Sequence, residues 1–285
     1  MPPTRTFTVK KYIIANRWGG QALISLFISI LSGVVVALQY NAAEPFYSTA
    51  TLEFVIPYGA FWRGLHYYSS QAFFLLLLCH LGVILWQKEY SYTRSAWIRL
   101  TASVPVTILL LFTGYVLRGD ATGEAAGAIA EHIALSIPLI GEPLNNLLFD
   151  VMAGGVEKVY ANHLIGLMVL GTICVWPHLR RYTAYFRNHA LLSLILIFLS
   201  IVLSTPMEPE RIGLTHIAGP WFFLGLQELL RFLPIFWAGV AVPTALIVAL
   251  FLLPEQGRKR KYTLFFILVW LLGYTILSWI SYGRI

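Results

Sequence analysis

Two pairs of histidines lie in apolar stretches of this 285-residue chain, His66 with His80 and His163 with His178. A neutral imidazole offers a nitrogen lone pair to a metal. Two such nitrogens from neighbouring helices suit the two axial positions of a haem iron. The fourteen-residue step from His66 to His80 turns an α-helix by about 1400°, roughly 40° short of four turns, and rises about 21 Å. The fifteen-residue step from His163 to His178 turns it by about 1500°, roughly 60° beyond four turns, and rises about 22 Å. Each helix would then present both rings on nearly one face at two depths. Two such helices side by side would hold two irons, one above the other. Taken singly, each histidine has a competing role as a hydrogen-bonding partner of a neighbouring helix; the paired spacing argues for ligation.

The elements that must position these rings follow from composition. With 58% hydrophobic and 12% charged residues, the chain carries more apolar surface than a soluble core of this size can bury, so it reads as an integral membrane protein. Apolar runs at 22–40, 66–86, 100–116, 159–176, 190–204, 235–253 and 262–280 each come near the roughly 20 residues of a spanning helix. An all-α, polytopic fold of about seven transmembrane helices is expected.

The net charge of +7 could suggest a nucleic-acid partner, but its distribution excludes one. With the N-terminus inside, 14 of the 20 basic residues, among them Lys10, Lys11, Arg94, Arg180, Arg181 and Arg258, fall on inner segments with only Glu89 and Glu255 of the acids. This is the positive-inside pattern of a membrane protein. It puts His66 and His163 near the outer face and His80 and His178 near the inner face. The first residues lack a short apolar core followed by a small-residue cleavage site, so no cleavable leader is expected. Cys79 and Cys174 stand in spans and outside any Cys-x-x-Cys-His pattern, so a haem here would carry no thioether link of that kind.

Three longer segments, 41–64, 117–158 and 205–234, fall on the outer side. Segment 117–158 reads as short amphipathic helices against the membrane, and 205–234, with its Gly-Pro-Trp-Phe-Phe run, as an interfacial loop. Together they could wall a pocket open to lipid. Gly19 and Gly33 repeat the fourteen-residue step, as expected where a flat macrocycle leans on a helix. Arg63 and Lys158 stand near the outer histidines as candidate cations for anionic haem propionates.

These residues resemble the cytochrome b of quinol-oxidising cytochrome bc complexes. The resemblance runs from about Asn16 to Leu253 and rests on Gly19 and Gly33, Arg63-x-x-His66, His80, Gly114-Tyr115-Val116-Leu117, the Ser136-Ile137-Pro138-Leu139-Ile140-Gly141 stretch, and His163 with His178. The fifteen-residue step is similar to the chloroplast branch, and seven spans look like that branch's four- and three-helix subunits fused. The resemblance implies a four-helix di-haem domain over 1–188 and a three-helix domain over 189–285. It implies two non-covalent b-type haems, Gly114 at a haem and Trp221 at a quinone pocket, with quinol or quinone as substrate. Where the family carries Pro-Glu-Trp-Tyr, this chain has Gly219-Pro220-Trp221-Phe222, and Arg118-Gly119-Asp120 replaces the Pro-Trp that follows Gly-Tyr-Val-Leu. Asp120, Glu124 and Glu228 are then the candidate proton acceptors. Leu100 stands where a fourth glycine would be, Val83 where the family has a basic residue near the inner site and Thr183 where it has a polar quinone contact, and Arg17 occupies the site of the chloroplast branch's covalent haem.

The expectation is a di-haem cytochrome b subunit in an energy-conserving membrane, the inner membrane of a bacterium. It would exchange electrons between the quinone pool and a partner, an iron–sulfur protein or a multihaem c-type cytochrome, with a homodimer implied by the family. The rivals are a haem-free proton-conducting transporter or channel, and a di-haem anchor subunit of a membrane dehydrogenase or hydrogenase.

Overall fold

The computed structural model describes residues 16–87, 92–209, 217–253 and 258–284. The leader expectation therefore concerns residues outside those described, as do Lys10, Lys11, Glu89 and Glu255. Among the described residues the chain is helical, with no strand. In hydrocarbon every backbone N–H and C=O must find a partner within its own segment, which leaves the helix as the solution for these apolar runs.

Among the described residues five helices are long and apolar enough to cross a membrane: α1 (Trp18–Ala37), α3 (Gly59–Gln87), α4 (Arg94–Val116), α7 (Glu157–Leu179) and α11 (Arg258–Tyr282). Two shorter apolar helices, α8 (Phe186–Val202) and α10 (Trp237–Leu252), complete the set. All seven runs read from the sequence are helices. The outer segments fold as α2 (Pro45–Phe54), α5 (Ala121–Leu135), α6 (Gly141–Leu148) and α9 (Leu224–Leu229), with a single turn at Val151–Gly154. The first span ends at Ala37, three residues before the end of its apolar run, because Tyr40 leaves the helix to donate a 2.6 Å hydrogen bond to Leu117 O.

By packing, the chain falls into two compact units that interleave along the sequence. The first comprises Met1–Leu38, Ile56–Ser91 and Leu179–Thr205; the second comprises Gln39–Val55, Tyr92–His178 and Pro206–Ile285. In the first, α1 runs along α3, and α8 packs on α3 and also touches α1. A Cβ on Gly64 would come within 3.3 Å of Ser200 O, so this glycine sets how near α3 and α8 approach. Tyr68 and Arg63 of α3 then bond to Ser204 O and Thr205 Oγ1 at the end of α8.

In the second unit, buried Trp97 of α4 donates from Nε1 to Leu250 O of α10 at 2.7 Å, joining the third span to the sixth. Tyr274 of α11 stacks on Trp270 and donates to Phe222 O at 2.7 Å. The turn between α4 and α5 depends on Gly119, whose φ is +66° and whose absent Cβ would lie 2.5 Å from Phe46 N. Only glycine takes that backbone conformation at no steric cost. Asp120 caps α5, accepting from Gly123 N at 3.0 Å. Glu131 ties the following segment together, accepting from Asn145 Nδ2 and Met152 N at 2.9 Å each.

Candidate functional site

Within the first unit, α3 is unbroken α-helix from Gly59 to Gln87, so the fourteen-residue step from His66 to His80 keeps its expected phase, roughly 40° short of four turns. The His66 ring lies against α1. Its Nδ1 is 2.8 Å from Ser29 O, and a carbonyl only accepts, so Nδ1 carries the proton and donates. That tautomer makes Nε2 the lone-pair nitrogen, and such a backbone bond is a usual way to orient a metal-binding imidazole. A Cβ on Gly33 would sit 2.8 Å from His66 Cε1 and 2.9 Å from Nδ1. At the other end of the same helix pair, a Cβ on Gly19 would sit 3.0 Å from His80 Cε1. The fourteen-residue glycine repeat thus matches the histidine repeat, and the space it leaves is occupied by the imidazoles themselves.

Within the second unit, the same arrangement recurs between α4 and α7. His163 Nδ1 is 2.9 Å from Thr113 Oγ1. The hydroxyl's single hydrogen is directed to Leu109 O at 2.8 Å, with Leu110 O at 3.0 Å, so the oxygen accepts and His163 Nδ1 donates. Nε2 is again the lone-pair nitrogen. Gly114, the next residue, would place a Cβ 3.3 Å from His163 Cε1. His178, where Leu100 replaces a glycine, has Tyr92 OH 3.4 Å from its Nδ1.

The step from His163 to His178 departs from the ideal-helix arithmetic. Residues Asn162–Gly166 form a π-helical turn. Such a turn closes i to i+5 and so absorbs about one residue more than an α turn. Fifteen residues then advance the helix about as far as fourteen α-helical ones, and the phase moves from 60° beyond four turns toward that of the first pair.

The two expected cations are both engaged. Arg63, one turn before His66, is buried and donates to Thr205 Oγ1. Lys158 is paired with Asp150 at the start of α7.

Of the three acids expected to take a proton, Asp120 is fully buried. It accepts from Arg118 Nε at 2.9 Å, Gly123 N at 3.0 Å and Glu208 N at 3.0 Å, and is ion-paired with Arg118. Glu228, 1% exposed, has Arg284 3.1 Å from Oε1 and Arg231 4.0 Å from Oε2. Glu124 is exposed in the first turn of α5.

A cleft in the second unit lies between α5 and the 217–227 segment, lined by Thr122, Ala126, Ile129, Pro220, Phe223 and Gln227 among others. Trp221 is 44% exposed and stands outside this lining, while the flanking Pro220 and Phe223 are in it. The sequence pointed to the two segments but not to Thr122, Ile129, Gln227, Ser29 or Thr113. A polar residue such as Gln227 inside an apolar helix was the one legible signal among these.

The family model described as Cytochrome b/b6/petB matches residues 6–184. The chain belongs to the cytochrome b/b6 family. Membership makes it a membrane electron-transfer protein that binds b-type haem. A cytochrome b of Bugula neritina is 23% identical over 319 residues, 94% of this chain and 85% of that protein. A solved structure titled "Hyperthermophilic respiratory Complex III" aligns over 95% of this chain and 83% of its own with a TM-score of 0.69 at 21% identity, which shows a common fold. A haem-free transporter is thereby set aside. The family match spans α1 to α7 in full, including α3 and α7, which carry all four histidines.

Proposed function

We propose that the chain is the di-haem, quinone-interacting subunit of a respiratory oxidoreductase complex. His66 and His163 hold the outer haem, and His80 and His178 the inner one. The observation that carries this reading is the shared treatment of His66 and His163: each has Nδ1–H bonded to an oxygen of a neighbouring helix and a glycine beneath its ring. The residues fit the group: with Nδ1–H committed to an oxygen, Nε2 is the lone-pair nitrogen that would bind an iron, and the bond holds the ring at one angle.

When bound, haem supplies a one-electron ferric–ferrous couple. The protein's part is to fix ring orientation through Ser29 and Thr113 and to hold the buried Arg63 one turn from His66. A buried guanidinium favours the reduced, more negative end of such a couple. Because His66 and His80 lie fourteen residues apart on one helix, haems bound there would lie at different depths, and an electron passed between them would cross part of the membrane, where a potential of 100 mV is worth about 2.3 kcal/mol per charge.

The cleft between α5 and the 217–227 segment is the proposed outer quinol site, with Trp221 at its rim. Protons leave on that side, with Glu124 the exposed carboxylate among Asp120, Glu124 and Glu228. The second electron of the quinol goes to a partner, an iron–sulfur protein or a multihaem c-type cytochrome, in a homodimeric complex. The proposed setting is the inner membrane of a bacterium with the N-terminus inside, and the proposed division of labour is a di-haem part over 1–188 and a quinone-pocket part over 189–285.

The test is a pyridine haemochrome count and a reduced-minus-oxidised spectrum of the purified protein in detergent. Two b-type haems per chain, reduced by added quinol, are expected. His80→Leu should remove the inner haem and leave the outer one; a protein that keeps both would overturn the pairing.

A further inference from the structure

Oxidation of a quinol releases protons as well as electrons, so an apolar cleft that performs it needs a polar way out. Most of the cleft wall, including Ala125, Ala126, Ile129, Pro220 and Phe223, has apolar side chains; Thr122 and Gln227 are the polar ones. The Gln227 amide is committed to backbone, accepting from Gly219 N and donating to Ile217 O at 2.8 Å each. It fixes the wall and has no ionisable neighbour in those bonds. The Thr122 hydroxyl is different: it donates to Glu208 Oε2 at 2.7 Å, with Ala218 O as a longer alternative at 3.1 Å.

Glu208 is itself held in place. Its N–H donates to Asp120 Oδ2 at 3.0 Å, and Ala121 N donates to Pro209 O at 3.1 Å, so this stretch is pinned on the N-terminus of α5. Asp120, ion-paired with Arg118, accordingly serves as the clamp. Glu208 is partly exposed, and a carboxylate that touches both the cleft wall and water can take up a proton and pass it on.

We propose that Thr122 and Glu208 form the proton outlet of the cleft. This rests on the quinol-oxidising reading above and names the acid that performs part of it. One quinol O–H breaks and its proton goes to Thr122 Oγ, while the Thr122 O–H breaks and that proton goes to Glu208 Oε2. Glu208 then releases a proton to water, the quinol's second proton leaves to water directly, and the two electrons leave singly to the one-electron acceptors named above. Glu208 is the group that touches the relay, and Asp120 is a positioning residue.

The experiment uses the intact complex and a short-chain benzoquinol, comparing wild type with Glu208→Gln, Thr122→Val, Thr122→Ser, Glu124→Gln and, as a surface control, Glu142→Gln. Readouts are the pH profile of quinol-driven haem reduction, the haem spectrum as a check of folding, and the carboxyl bands in the quinol-minus-oxidised infrared difference spectrum. Glu208→Gln and Thr122→Val should slow reduction on the order of 100-fold with unchanged haem content, and Thr122→Ser should restore most of the rate. Glu208→Gln should also lose a carboxyl band that wild type shows.

If Glu208→Gln keeps the wild-type rate, pH profile and carboxyl band while quinol still reduces the haems, the outlet is overturned and the quinol reading stands. Loss in Glu124→Gln alone would move the outlet to that residue. A wild-type complex whose haems quinol does not reduce would overturn both readings. Should Thr122→Val fail to fold, Glu208→Gln carries the test.

Discussion

Adding one methyl group at Gly33 tests the haem-ligand geometry directly. The Cβ of Gly33→Ala would lie 2.8 Å from His66 Cε1 and 2.9 Å from Nδ1, whereas ordinary carbon contacts begin near 3.5 Å. The ring must therefore shift by about 0.7 Å, away from the Ser29 carbonyl that it meets at 2.8 Å. Overpacking of this kind costs about 1–3 kcal/mol, and weakening the hydrogen bond adds about 1 kcal/mol. Together these predict a loss of about 2–4 kcal/mol in holding the outer haem, on the order of 30- to 1,000-fold in affinity.

The structure also ranks the other glycines. Gly19→Ala meets His80 at 3.0 Å and should be milder, Gly114→Ala meets His163 at 3.3 Å and milder still, and Gly82, with nothing within 4 Å, should tolerate alanine. The assay is a redox titration that resolves the two haem components in each purified variant, with haem released against a scavenger as the affinity measure. The reasoning is refuted if Gly33→Ala holds both haems with wild-type potentials and release rates, or if Gly82→Ala is the more damaging change.

Thr113→Val removes the acceptor of His163 Nδ1–H while keeping side-chain volume, and should weaken outer-haem retention by about 10- to 100-fold, measured by the same release assay. Trp97→Phe deletes the 2.7 Å bond to Leu250 O and leaves that buried carbonyl only the longer 3.3 Å bond from Leu253 N, which should cost about 1 kcal/mol in thermal unfolding of the detergent-solubilised protein. Tyr40, outside the spans, has its phenol pushed above its ordinary range by burial first and by Tyr160 second. A raised pKa means that the folded state favours the neutral form, so this contribution to stability is complete below pH about 10 and is lost as pH rises above it. Tyr40→Phe should flatten the alkaline limb of the stability curve, and an unchanged limb would count against this assignment.

Much of this architecture is written in local sequence. Seven apolar runs suffice to specify seven helices, since hydrocarbon permits little else, and the histidine and glycine steps are periodicities that one helix displays by itself. The family-defining stretch from Gly114 to Gly141 could likewise be read by eye. Other features depend on packing between elements far apart in the chain. That Ser29 and Thr113 orient the ligand rings follows from which helix face meets His66 and His163, and sequence spacing carries no information about that register. The π turn at Asn162–Gly166 is a choice of backbone hydrogen bonding that residue types do not announce, yet it moves the phase of the second histidine pair toward that of the first. Asp120, read as a proton acceptor candidate from its position alone, is bonded locally by Arg118 and Gly123 N, and it gains its bond from Glu208 N only when the 206–209 stretch folds onto α5. The Thr122–Glu208 contact joins residues 86 apart, and a hydrogen bond of a few ångströms across such a separation exists only once tertiary structure has paid the entropy of closing the loop.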